Sequence, residues 1–145
     1  MVLAAGGVGL VDPTEAAQGA YGFEFRVRPL TSWLLSPALG FTFFGQDAHF
    51  AFAGLRRDFW ATERWTFTPA LDVGAYDRGN VLNLGGEVQF RSGLELAHRF
   101  GNDMRLGVAF YHLSNGGLDD LNPGTESVVV TFGLPVGRAA DYRTD

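Results

Sequence analysis

An all-β fold, an eight-stranded antiparallel transmembrane β-barrel, is what this 145-residue chain predicts. Three observations carry the prediction. Apolar and polar residues alternate with a period of two along most of the chain, as they do where successive side chains point to opposite faces of a strand. Twenty Gly and thirteen Phe are unusual for a helical protein but suit a barrel with an aromatic outer surface and small residues packed closely. No run of eighteen apolar residues occurs, which excludes a membrane-spanning helix, and no segment has a convincing helical period.

The bulk numbers narrow the partners. The length fits one domain, and residues 1–136 read as a single β-barrel domain followed by a polar C-terminal tail, 137–145. A net charge of −5 argues against a nucleic-acid partner. All 11 basic residues are Arg, and the absence of Cys leaves neither a disulfide framework nor a thiolate metal site. The opening Met1-Val-Leu-Ala-Ala-Gly-Gly lacks the basic region and apolar core of a secretory leader. A barrel bound for the bacterial outer membrane needs one, so the chain is expected to be a mature form with a start Met added.

Eight extended segments follow in order. The first, about Val2 to Val11, is rich in Gly and Ala; its Gly6-Gly7-Val8-Gly9 lacks the spacing of a phosphate-binding loop and suits close backbone approach. Asp12-Pro-Thr-Glu turns the chain. The second, about Gln18 to Arg28, sets Tyr21, Phe23, Phe25 and Val27 against Gly22, Glu24, Arg26 and Arg28. The third, about Trp33 to Gly45, puts Leu35, Pro37, Leu39, Phe41 and Phe43 on one side, and the fourth, about Ala48 to Phe59, has no clear phase. In the fifth, Trp65, Phe67, Leu71 and Val73 oppose Thr66, Thr68, Asp72 and Gly74, and Asp77-Arg-Gly-Asn begins a longer polar loop. The sixth sets Val88, Phe90, Leu94 and Leu96 against Glu87, Gln89, Arg91, Gly93, Glu95 and Arg99. Gly101-Asn-Asp turns into the seventh, and Asn115 to Gly124 links it to the eighth, which ends near Val136.

Alternation alone does not say which face is inside, because a soluble, lipocalin-like barrel would turn its apolar face inward. The polar face decides. Its charges are interleaved with Gly22, Gly74, Gly93, Gly107, Ala97 and Ala109, a pattern suited to a narrow lumen, and Glu24, Asp72, Glu87 and Glu95 nearly balance Arg26, Arg28, Arg91, Arg99 and Arg105. The expectation is a charged network filling the interior, with Phe, Trp and Leu facing lipid. The connections after the fifth and seventh strands are the longer and more polar ones, which marks their end as extracellular.

The chemistry concentrates in Phe110-Tyr-His-Leu-Ser-Asn-Gly-Gly-Leu-Asp-Asp-Leu-Asn-Pro-Gly-Thr-Glu126. His112 and Ser114 share a strand face with Leu106, Val108 and Phe110; Glu126 shares one with Val128, Val130, Phe132 and Leu134. In an antiparallel hairpin those apolar faces coincide. Residues two apart on a strand lie roughly 6.8 Å apart at Cα, and neighbouring strands about 4.8 Å apart, so one imidazole can reach both a hydroxyl beside it and a carboxylate across the ladder. Ser, His and an acid so placed have the makings of a nucleophile, its base and the group that orients the base, although a His and a Ser two apart also occur as ordinary strand-end residues.

The pattern His112-x-Ser114-Asn115-x-Gly117-Leu118, followed by Asn122-x-Gly124-x-Glu126, resembles the PagL family of outer-membrane lipid A 3-O-deacylases. The close match covers about the last quarter of the chain, and the barrel-like pattern elsewhere agrees in length and strand count. The resemblance implies a Ser-His-Glu esterase that hydrolyses the 3-position acyl ester of lipid A in the outer leaflet, with lipopolysaccharide as substrate and no metal or organic cofactor. It implies Ser114 as nucleophile, His112 as base and Glu126 as orienting acid. Asn122 and the backbone amides of Gly116 and Gly117 are candidate oxyanion donors, with Asn115 supporting the loop. Spacing alone argues only for a Ser-type lipid esterase. The glycines before the loop and the Pro after Asn122 depart from the family and bear on the oxyanion assignment more than on the nucleophile. The rival expectation is a non-enzymatic barrel serving as a structural or adhesive surface protein. Asp119 and Asp120 lack the spacing of a calcium site, His49 and His98 suit a rim or surface, and Arg56 and Arg57 read as a solvated basic pair.

Overall fold

A computed structural model describes residues 2–9, 18–30, 32–45, 47–80 and 83–136. Its strands are β1 (Val2–Gly9), β2 (Gln18–Arg26), β3 (Ser36–Phe44), β4 (His49–Arg56), β5 (Phe59–Trp60), β6 (Trp65–Asp77), β7 (Val88–Arg99), β8 (Arg105–Ser114) and β9 (Thr125–Leu134). Each long strand pairs antiparallel with its sequence neighbours, β4 pairs with β6, and β1 pairs with both β2 and β9. That closes the eight long strands into a ring, the arrangement by which a sheet satisfies its backbone groups within lipid. The ninth strand, β5, is a two-residue addition pairing only with the start of β6. The expected Asp12–Glu15 turn and the 137–145 tail lie outside the described residues.

Faces sort as a membrane barrel requires. Phe23 is 56% exposed and Leu71 67%, whereas Arg56 is 1% and Glu95 2% exposed. A soluble barrel with an apolar interior is therefore excluded. Along β8 and β9 the alternation is nearly unbroken: Arg105, Gly107, Ala109, Tyr111, Val129 and Thr131 point in, and Leu106, Val108, Phe110, Val128 and Val130 point out.

The lumen is packed with paired charge. Arg56 sits between two carboxylates, 2.6 Å from Glu24 and 2.6 Å from Asp72. Arg26 bridges Glu24 and Glu95 at 2.6 and 2.9 Å, and Arg91 reaches Asp72 at 2.7 Å. The Arg91 guanidinium also lies over the rings of Phe52 and Tyr111, 3.8 and 4.3 Å from their centroids. Space for this network comes from glycine. A Cβ on Gly54 would stand 1.9 Å from the Asp72 carboxylate, and one on Gly40 would stand 2.3 Å from the Phe52 ring.

Several expectations need correction. Arg56 is not solvated; β4 places it inward, where two acids hold it. Phe50 and Phe52, on the strand without a clear phase, also turn inward, and with Tyr76, Leu84 and Leu113 they form an apolar plug at one end of the lumen. Glu87 and Arg28 lie past the ends of their strands and are exposed instead of lining the bore. Arg99 sits at the close of β7 and pairs with Asp103 across the tight turn. Strands two to four end earlier or begin later than expected. The chain leaves the ladder between Arg26 and Ser36, where Leu34 takes a φ of 57°, and again at Arg57 and Asp58. The connection between Arg26 and Ser36 is therefore also a long one, besides those after the fifth and seventh expected strands, whereas that between Phe44 and His49 is short.

The two ends of the barrel differ. Trp33, Trp60 and Trp65 all lie at the end holding the β2–β3, β4–β6 and β7–β8 connections, where His98 packs edge-on against Trp65 and Phe100. Amphipathic rings gathered at one level mark a membrane–water boundary. The β6–β7 and β8–β9 loops emerge at the other end.

Replacing Arg56 with Met leaves Glu24 and Asp72 facing each other with one cation fewer. Urea unfolding in lipid or detergent should show a loss of about 3–5 kcal/mol, the range for breaking a buried ion pair by removing one partner. At the Trp-bearing end, partial burial alone would raise the Asp58 carboxyl, but Arg105 at 2.6 Å and the Thr68 hydroxyl at 2.8 Å hold it below the ordinary carboxylate range. A depressed folded-state value stabilises the fold above the unfolded-state pKa and stops doing so as pH falls through the folded one. Asp58→Asn should therefore be less stable than the parent at neutral pH, with the gap closing as pH drops below about 4, the ordinary Asp value.

Candidate active site

His112 and Glu126 are direct cross-strand partners, on β8 and β9. Their side chains lie on the outward face, and His112 Nδ1 is 2.9 Å from Glu126 Oε1. Both are roughly half exposed, at 43% and 46%, on a wall whose neighbours are Phe110 and Val128. A carboxylate at Nδ1 makes that nitrogen the protonated one, leaving the Nε2 lone pair to accept a proton. Ser114 follows two residues along β8 on the same outward face, where β8 ends, with Phe90 of β7 as its ladder partner. Its hydroxyl makes no hydrogen bond among the described residues, so the imidazole and the serine are neighbours on one wall without being bonded. Catalytic contacts of this kind commonly tighten only when substrate is bound.

Gly124 fixes the other side of the imidazole. Its φ is +68°, and a Cβ there would stand 3.0 Å from His112 Cε1. The sequence shows this glycine at the motif's spacing, but nothing in the spacing reveals that it packs against the ring.

The β8–β9 loop is organised by Asn115, fully buried at the mouth of the barrel. Its backbone N–H donates to Asn122 Oδ1 at 3.0 Å, and its side-chain amide donates to Leu121 O at 2.7 Å and to Leu84 O at 3.1 Å. The Asn122 carbonyl oxygen is thereby occupied, and its NH2 end donates to nothing among the described residues. The backbone N–H of Gly117 donates to Asn115 Oδ1 at 2.8 Å, which removes it as an oxyanion donor. That corrects the expectation for Gly117: the Asn side chain closes a tight turn over the amide before any ligand can use it. Asp119 accepts from the Gly86 N–H at 3.2 Å, joining this loop to the β6–β7 loop. No group of three or more His, Cys, Asp or Glu side chains able to hold a metal converges among the described residues.

Residues 15–135 match the family profile described as lipid A 3-O-deacylase (PagL). The chain belongs to that family. Lipid A deacylation, an ester hydrolysis, is accordingly its activity, and the outer membrane is where its barrel resides. The crystal structure of the outer membrane enzyme PagL superposes on this PagL-family barrel with a TM-score of 0.72 at 21% identity, covering 92% of this chain and 99% of that one. The Yersinia pestis outer membrane protein Ail, determined as a backbone structure in a phospholipid bilayer nanodisc, gives a TM-score of 0.54 at 11% identity over 90% of this chain and 96% of its own. At those identities both likenesses concern the fold. No curated protein matches the chain in sequence.

Gly124→Ala tests the packing against the imidazole. A left-handed conformation costs a residue with a Cβ about 1–2 kcal/mol, and the methyl would displace the ring from Glu126. Deacylation by the folded variant should fall about 10- to 100-fold, the scale of a small misplacement in an active site. Parent-like activity would show that the ring tolerates the shift.

Proposed function

We propose that the chain hydrolyses the 3-position acyl ester of lipid A with Ser114 as nucleophile, His112 as general base and acid, and Glu126 as the orienting carboxylate. The observation that carries this reading is the His112–Glu126 pair, 2.9 Å apart on the outward wall with Ser114 on the same face. A wall of Phe110, Val128 and Val130 faces acyl chains, so an ester at the headgroup boundary meets the trio from the side. For that to happen the end carrying the β8–β9 loop faces the cell exterior, where lipid A forms the leaflet.

The steps balance with the chain's own residues and water. Ser114 Oγ attacks the acyl carbonyl carbon while His112 Nε2 takes its proton, and Glu126 stabilises the imidazolium that forms. The carbonyl oxygen becomes an oxyanion, toward which the free NH2 end of Asn122 and the Gly116 amide are the candidate donors; one such donor contributes about 3 kcal/mol. Collapse breaks the ester C–O bond, and the imidazolium returns its proton to the departing 3-oxygen of lipid A. Water, deprotonated by His112, then attacks the acyl-serine carbonyl; the acyl–Oγ bond breaks, the imidazolium returns its proton to Ser114 Oγ, and a 3-hydroxy fatty acid is released.

Mass spectrometry of lipid A before and after exposure to the protein tests the reading. The parent should remove one 3-linked acyl chain, and Ser114→Ala should lower the rate about 10⁴-fold or more, as loss of a nucleophile does elsewhere. Release by Ser114→Ala at the parent rate would remove Ser114 from the chemistry.

A further inference from the structure

The catalytic loop does not stand alone; it rests on a turn from the next hairpin round the barrel. Residues 83–86 of the β6–β7 connection fold over the mouth of the lumen, with Leu84 buried in the apolar plug. Leu84 O accepts two hydrogen bonds, from Asn115 Nδ2 at 3.1 Å and from Gln89 Nε2 at 3.4 Å. Gln89 points inward from β7, is fully buried, and also donates to Gly86 O at 2.8 Å, so one amide grips the turn on both sides of Gly85. Gly85 has a φ of +87°, and a Cβ on it would stand 1.8 Å from Leu121 O and 2.6 Å from Asn115 Nδ2. The two loops therefore meet backbone to backbone at a point where any side chain would separate them.

Resting on the oxyanion role proposed above for Asn122, we propose that Gln89 and the Leu84–Gly86 turn are positioning elements for the Asn122 amide, acting through Asn115. Gln89 fixes Leu84 O; Leu84 O and Leu121 O together use both hydrogens of the Asn115 amide; the Asn115 backbone N–H then claims Asn122 Oδ1. Each link removes one way for the next group to rotate. The last link decides which end of the Asn122 amide is left to donate. Gln89 is on the inner face and His112 on the outer, so Gln89 affects the developing charge only through the orientation it passes along.

A double-mutant cycle on kcat separates this from a general structural role. The variants are Gln89→Met, which keeps the length and removes the donor, Asn122→Ala, and the pair, each assayed as folded barrel on lipid A. Gln89→Met alone should lower kcat about tenfold with KM within about twofold, part of the effect of a whole oxyanion donor. In the Asn122→Ala background the same change should have no further effect, because the group it positions is gone. Gly85→Ala, which forces the loops apart without touching the lumen, should show the same dependence on Asn122 and serves if Gln89→Met does not fold. A full-sized additional loss in the Asn122→Ala background, with either variant, would overturn the positioning role while leaving the oxyanion role intact. An Asn122→Ala enzyme with parent kcat would overturn both.

Discussion

Arg56 held between Glu24 and Asp72 is the interaction on which the rest of the barrel depends. In a membrane barrel the apolar side chains are outside, so the interior must be filled by groups that would otherwise be costly to bury. Cations and acids buried singly would be prohibitive, and paired they are tolerated. Four arginines, Arg26, Arg56, Arg91 and Arg105, are shared among Glu24, Asp72, Glu95 and Asp58, and the small residues of neighbouring strands give way where those side chains cross. With those charges paired inside, β8 and β9 present a continuous outer face.

The candidate site shows how the two faces divide the labour. Odd residues of β8 build the wall's inner support, with Tyr111 under the Arg91 guanidinium and Leu113 in the plug. Even residues carry Phe110, His112 and Ser114 outward. The loop that follows turns the alternation to account at its first residue. Asn115 falls inward, is fully buried, and ties Leu84, Leu121 and Asn122 into one frame. The groups proposed to act on lipid are thus held from the polar side of the wall.

Much of this was legible in the sequence, for identifiable reasons. A period of two is a local signal, so the faces of β2, β6, β7, β8 and β9 follow from it, as does the outward placement of His112, Ser114 and Glu126. β4 was illegible because its inward residues are Phe50, Phe52 and Arg56, which mix the apolar and charged classes that alternation relies on. Arg56 looked like half of a surface pair because its partners, Glu24 and Asp72, lie on other strands. The bond that occupies the Gly117 amide is hidden for a related reason. A glycine after Asn can offer its N–H to a ligand or lose it to the Asn side chain, and only the turn geometry distinguishes these. Contacts between the β6–β7 and β8–β9 loops join positions some thirty residues apart and left no mark in the spacing.

An outward-facing trio also changes what concentration means for this enzyme. On the roles proposed for His112 and Ser114, a lipid reaches them by sliding along the leaflet, and a cleaved chain has the same two-dimensional route away from them. Encounter frequency is then governed by how many lipids occupy each unit of membrane area and how fluid their tails are. Stiffening or thinning the leaflet would regulate turnover with no ligand bound to the protein at all.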